Sequence, residues 1–313
     1  MTIFFNKSFL ITILVCASAI SEATEISPLL GVGQDNFSFK IQSLGGATKE
    51  IEYEPNIPGL SRVGLSALGY GVSYSIRGAE AENQNFGKTS FTDFQLGYHN
   101  ENWGIDGFYQ TYKGFYIKNS STFGGNSDSP YTFPDLEFNH YAISARLARD
   151  NQGGFKLSSL LSQSDQIKKT AGTYYLLASY RYFSLINNST ILPASLSGIN
   201  SDVDGIRKMA VNTINLGAGA GKYWVSDSYW FIGSCFDLIA TYGLYRYTRE
   251  PVNDSNSSYL TTSFNVKLGV GYSGDRFRAG ISANGEITTL KAAASTYLAA
   301  ASNQFMFYIR TAY

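Results

Sequence analysis

The chain has 313 residues, with 24 Lys and Arg set against 24 Asp and Glu, so no global field marks it as a nucleic-acid binder. Charged residues make up 15%, under the roughly 25% of soluble domains, while 23 Tyr and 21 Phe help bring the aromatics to 15%. This charge-poor, aromatic-rich balance sets the chain apart from ordinary soluble domains.

Residues 1–23 read as a secretory signal peptide. Lys7 supplies the positive start, Ser8 to Ile20 the apolar run, and Ala17-Ser18-Ala19 or Ser21-Glu22-Ala23 the small-residue cleavage site, with Ala23 the favoured end. The run is short of the roughly 20 residues that a spanning helix needs. The bulky Val15 before Cys16 fits a lipobox poorly. Removal of Cys16 leaves Cys235 alone, without an internal disulfide partner.

Residues 24–313 read as a single domain of alternating strands. Tyr70, Val72, Tyr74 and Ile76 oppose Gly71, Ser73, Ser75 and Arg77, and Phe94, Leu96 and Tyr98 oppose Asp93, Gln95, Gly97 and His99. The stretch from Ser228 to Tyr245 has the length of a spanning helix, but Asp237 sits inside it and Gly233 and Gly243 interrupt it. Its apolar residues, from Trp230 to Leu244, keep a two-residue period, so it reads as a long strand. Leu260 to Tyr272 and Phe277 to Ile287 alternate in the same way. In the last nine residues Phe305, Phe307, Ile309 and Tyr313 oppose Met306, Tyr308 and Arg310. Strands this long exceed the 5 to 6 residues usual in soluble sheets. The pattern predicts an all-β fold, a transmembrane antiparallel up-and-down barrel of about 12–14 strands. Phe307, Ile309 and Tyr313 form the expected terminal signal for the barrel-assembly machinery.

Tight turns are expected at Ala67 to Gly69, His99 to Asn102, Asp150 to Gly154, Val225 to Asp227 and Ser273 to Asp275. If all are periplasmic, an even number of strands separates any two. Between Gly154 and Val225 three are evident, near Phe155 to Ser162, Thr173 to Ile186 and Ala210 to Trp224. Either a weak fourth lies near Thr190 to Ser197, or one short turn faces outward. The expected outer loops are Asn119 to Asp135, Asn187 to Lys208 and Thr248 to Ser258. Asn200-Ser-Asp202-Val-Asp204-Gly205 imitates half of a calcium loop, but Val211 stands where the closing Glu belongs, so an ordinary Asx-rich loop is the stronger reading.

Tyr53-Glu-Pro-Asn56 ahead of a Gly-Tyr-Gly strand, Trp103-Gly-Ile-Asp106-Gly-Phe-Tyr-Gln110-Thr-Tyr-Lys113-Gly-Phe-Tyr116, and Phe155-Lys-Leu-Ser158 leading to Gln166-Ile-Lys-Lys-Thr-Ala-Gly172 carry a resemblance. Over roughly residues 35 to 313 the chain resembles an uncharacterised bacterial outer-membrane β-barrel family, domain of unknown function 4421. The resemblance implies a barrel in the outer membrane of a Gram-negative bacterium. It brings no activity, ligand or catalytic residue to carry over.

Function must then be read from the polar face. Arg77, Asp93, Gln95, Asp106, Gln110, Arg146, Arg181, Asp237, Lys267, Arg278, Glu286 and Arg310 are the expected lumen-lining residues, and charges of both signs there must pair or stay wet. They form either an ion-pair network that fills the lumen or a water-filled path for small solutes. Glycines 217, 219, 221, 269, 271 and 280 face inward on this register, leaving free volume or room for an inserted loop. An acyl hydrolase needs Ser, His and Asp or Asn together. His140 has Ala142 as its same-face neighbour and Ser144 about 13 Å along the strand, while His99 lies at a turn beside Asn100. Asp93 with Asp106 is the carboxylate alternative. Trp103, Trp224, Trp230, Tyr182 and Tyr313 read as interfacial girdles. The expected function is a structural barrel or passive small-solute channel in the outer membrane, not an enzyme, with no cofactor or metal. Its expected partners are outer-membrane lipid, the assembly machinery and small solutes. A barrel-embedded lipid hydrolase and a surface receptor or adhesin acting through its loops are the alternatives.

Overall fold

The computed structural model describes residues 26–43, 50–77, 84–152, 155–156, 166–193, 196, 203–249, 253–291 and 296–311. Thirteen strands run through them: β1 (Ile26–Ser43), β2 (Ile51–Glu54), β3 (Leu60–Ala67), β4 (Tyr70–Arg77), β5 (Ser90–His99), β6 (Trp103–Ile117), β7 (Thr132–Gln152), β8 (Ala171–Ile186), β9 (Ile206–Val225), β10 (Trp230–Arg249), β11 (Asn253–Ser273), β12 (Phe277–Lys291) and β13 (Thr296–Thr311). Every neighbouring pair is antiparallel, and β1 closes on β13 from Leu29↔Arg310 to Ser43↔Thr296. β1 pairs with β3 at its start and with β2 near its end, and β2 reaches across to β6. Twelve strands therefore make the ring, and β2 completes its wall above the short β3–β5 segment. The pairing of β1 with β13 closes the sheet, as a barrel that crosses lipid requires.

Outward residues are apolar because the chain alternates. Leu30 and Val32 on β1, Ile232 and Leu238 on β10, Leu268 and Val270 on β11, and Phe305, Phe307 and Ile309 on β13 are exposed, forming a band around the ring. Trp103, Trp224 and Trp230 are exposed at strand ends, and Tyr182 stacks on Tyr141 with ring centroids 4.5 Å apart. Tyr313 lies outside the described residues.

The short connections lie at one end, together with the start of β1 and the end of β13. Leu68 and Gly69 join β3 to β4 with φ of 54° and 81°, the left-handed pair of a type I′ hairpin. Three expectations need correcting. Asp150 is not in a turn, since β7 continues to Gln152. Phe155 and Lys156 are not in a strand, and residues 157–162 lie outside the described set. Residues 190–193 and Leu196 form no strand. Two strands, β8 and β9, thus separate the connections at issue, and parity needs neither a hidden strand nor an outward turn. The strands also run further outward than expected: β10 reaches Arg249 and β11 begins at Asn253, where a loop from Thr248 to Ser258 was anticipated. Backbone pairing continues past the apolar band, so polar, turn-prone residues such as Asp254 and Ser255 remain in register with Thr248 and Tyr247.

Candidate functional site

The interior changes character along the axis, and the rows across β12, β13 and β1 show how. From the short-turn end outward they read Ser282–Met306–Gly33, Asn284–Gln304–Asp35, Glu286–Ser302–Phe37, Thr288–Ala300–Phe39 and Leu290–Leu298–Ile41. The inner face is polar in the lower half and apolar in the upper half. A wholly polar inner face, the expectation from alternation, is corrected for the upper half.

The upper half is a packed core. Phe37, Phe39, Tyr53, Tyr112, Phe115, Phe138 and Phe183 are all buried, joined by Ile191, Leu192 and Leu196 from the β8–β9 connection. Phe37 lies 4.5 Å from Tyr112 and Phe39 lies 4.7 Å from Tyr53, ring centre to ring centre. The Tyr53 hydroxyl donates to the Ile191 carbonyl at 2.7 Å, fastening the connection over the bore. One glycine makes this possible. β6 carries its inward residues at even numbers up to Tyr112, but a bulge at Gly114, with φ 97°, shifts the phase and turns Phe115 and Ile117 inward. Gly114 stands there opposite three residues of β7, 134–136, and without this change of phase Phe115 and Ile117 would face outward.

At the short-turn end a smaller cluster closes part of the bore. Phe155 and Ile167, both in the β7–β8 connection, pack with Tyr175, Tyr223, Phe231 and Cys235. Ile167 N–H donates to Ser273 Oγ at 2.8 Å. Two of the inward glycines make room for this cluster: a Cβ on Gly219 would strike the Tyr175 ring, and one on Gly221 the Phe155 ring. The room these two leave is occupied by side chains, whereas a Cβ on Gly217 or Gly271 would meet the neighbouring backbone first.

Between the two clusters lies a polar cavity of about 240 Å³. Of the residues expected to line the lumen, Gln95, Asp106, Gln110, Arg146, Arg181, Lys267, Glu286 and Arg310 border it. Asp93, Asp237 and Arg278 are buried beside it, and Arg77 is half-buried at the outer end of β4. Most of the charges have partners. Arg62 Nη2 meets Asp93 at 2.8 Å, and Asp93 also accepts from Ser75 at 2.9 Å and from Gln95 at 3.1 Å. Asp106 takes Arg146 at 2.8 Å and stands 3.1 Å from His99 Nε2. Asp237 accepts from Tyr175 at 2.5 Å and from Asn265 at 3.3 Å, with Arg146 at 3.6 Å. Arg181 pairs with Glu286, and Arg310 donates to the Ser27 carbonyl at 3.0 Å. The suggested Asp93–Asp106 couple does not form, because each carboxylate has its own arginine.

The family's sequence profile, described as a domain of unknown function (DUF4421), matches residues 32–313. The chain belongs to this family. No curated protein matches it. Among solved structures the DUF4421 barrel is similar to the outer-membrane protease OmpT of Escherichia coli, with TM-score 0.42 and 8% identity over 92% of this chain and 97% of that one. The toluene transporter TodX of P. putida gives 0.28 at 8% identity, covering 93% and 90%. Ail, the attachment invasion locus protein of Yersinia pestis, gives 0.22 at 11%, covering 91% and 97%. Likeness at this level carries no argument about activity.

Among the described residues no serine hydroxyl is hydrogen-bonded to either histidine of the DUF4421 barrel. His140 is buried, stacked on Phe183 at 4.1 Å and edge-on to Phe108, and His99 faces Asp106. Among the described residues no His, Cys, Asp and Glu cluster could hold a metal, and residues 200–202 of the half calcium loop lie outside them. Sequence reasoning missed Arg62 and Asp35, both buried among the interior polar groups. Arg62 carried a readable signal, since Leu60, Arg62, Gly64 and Ser66 oppose Ser61, Val63 and Leu65 on a short alternating strand.

Proposed function

We propose that the protein is an outer-membrane β-barrel of structural type, closed to steady through-flow and without enzymatic activity. The observation that carries this reading is the buried aromatic core in the outer half of the bore, above the polar cavity. The exposed apolar band and the tryptophans at strand ends support residence in lipid. Lipid of the outer membrane and the machinery that inserts barrels are the partners this reading implies, with exposed Phe307 and Ile309 on the closing strand as part of the assembly signal. Among the described residues His140 Nε2 has no hydrogen-bond partner and its ring lies against Phe183, which supports a non-hydrolytic barrel over a lipid hydrolase.

A passive small-solute channel is the second reading, favoured by the cavity itself and its mixed charges. Single-channel recording of the refolded protein in a planar bilayer separates the two. A folded barrel that stays silent is expected. Steady conductance, with an ion selectivity that shifts in Lys267→Glu, would overturn closure and establish the channel.

A further inference from the structure

The cavity holds an imbalance of hydrogen-bond donors. Lys267 borders it, and no hydrogen bond or ion pair joins Lys267 to any described residue. The acids that act on it electrostatically, Asp106 and Asp237, are engaged by Arg146, His99, Tyr175 and Asn265. Arg146 and Arg181 border the same cavity, each only 9% exposed, and the Nε–H of each is buried without a partner.

Ammonium and guanidinium groups donate only, so these orphans cannot satisfy one another. Asn284 also leaves an amide oxygen unpartnered, but its amide can present either function, whereas Asn265, whose amide N–H donates to Asp237, leaves one fixed acceptor, fewer than the cationic donors. The fixed part of the imbalance is therefore cationic N–H. Buried polar groups left unpaired are costly, most of all charged ones. The complement is a group that accepts only and carries negative charge.

We propose that this cavity binds a small oxyanion, a phosphate or short carboxylate group, with Lys267 as its principal partner and the Nε–H groups of Arg146 and Arg181 as further donors. About 240 Å³ lies below the roughly 300–1,000 Å³ of pockets for drug-sized molecules, so the ligand is small. Phe37, Phe138 and Phe183 roof the site, whereas Ser66, His99 and Arg310, within two residues of their strand ends, border it at the short-turn end. The anion therefore enters from the short-turn side.

The test is calorimetric titration of the refolded full chain in non-ionic detergent with sodium phosphate and with sodium citrate, at constant ionic strength in chloride. Saturable binding of at least one anion is expected, weakened tenfold or more in Lys267→Met. Asn284→Asp sets a carboxylate directly across the ladder from Lys267 and should weaken binding as much, so it carries the test if Lys267→Met fails to fold. Lys168→Met, at an exposed position, should bind as the parent does. No saturable binding of either anion by the folded parent, or unchanged affinity in the Lys267 and Asn284 variants, would overturn the proposal.

Discussion

The ring of Phe155 fills the space that a side chain at position 221 would need: a Cβ on Gly221 would lie 2.8 Å from the Phe155 Cζ. Phe155 stacks on Tyr223 at 4.8 Å, in the room left by Gly221, and Ile167 is tied to Ser273, so these two residues of the β7–β8 connection are docked on the wall of β8–β11. Gly221→Val should displace Phe155, at a cost of about 1–3 kcal/mol for overpacking. The barrel should persist while trypsin cleaves after Lys156 faster than in the parent. An unchanged cleavage rate would show that Phe155 does not hold the connection.

The outer cap carries a charge ladder whose pH response follows from its partners. Glu50 is held below its ordinary value of 4.5, chiefly by the Lys40 ammonium 2.6 Å away. Lys118 is held above its ordinary 10.5, chiefly by Glu54 at 2.5 Å. A depressed carboxyl stabilises above its unfolded value and loses that contribution as pH falls through the folded one. A raised amine stabilises below its unfolded value and loses it as pH rises through the folded one. Cap stability should therefore be flat between about 4.5 and 10.5 and fall outside both limits, weakly because the groups are partly exposed and salt-screened. Amide-exchange protection at Lys118, which donates to the Glu52 carbonyl at 2.9 Å, reports it. Protection that rises below the lower limit would contradict the sign.

The ring was legible because lipid outside and closure inside impose one period on every strand. β4 falls on the alternating run Tyr70 to Arg77 residue for residue, and Trp230, Phe236 and Leu244 face outward as their phase requires. The interior was legible only where it is polar. Period two gives a face its direction but not its height along the axis, so it sets Ile239 on the inner face of β10 without showing that the interior at that height is apolar. The phase change at Gly114 hid Phe115 and Ile117 for the same reason. Phe155 was read as a strand residue because its aromatic character suits a strand, and only its long-range partner Gly221 reveals an insertion.

The Gly114 bulge also makes a prediction about the cap. At φ 97° any L side chain is strained, and Gly114→Val adds β-branching to a position that turns two aromatic-core residues inward. A loss of about 1–3 kcal/mol is expected from backbone strain alone. The urea midpoint of the refolded barrel should fall, and the planar bilayer should show intermittent conductance as Phe115 and Ile117 leave the bore. A variant as stable and as silent as the parent would mean that the bulge is not what closes the outer half.

The Arg62–Asp93 pair separates charge satisfaction from packing. Asp93 is fully buried and held by Arg62, Ser75 and Gln95, so Asp93→Asn leaves the Arg62 guanidinium without its counter-charge in a confined interior. Breaking a buried pair from one side typically costs about 3–5 kcal/mol, because the remaining charge is uncompensated. Replacing both sides with apolar residues of similar size is often close to neutral. The double variant Arg62→Met with Asp93→Leu should therefore unfold in urea nearer to the parent than either single substitution does. That order follows if the pair's interaction mainly offsets the cost of burying its own charges. A double variant less stable than both singles would instead mean that Ser75 and Gln95 depend on the Asp93 carboxylate, and that the four residues hold β3, β4 and β5 together as one network.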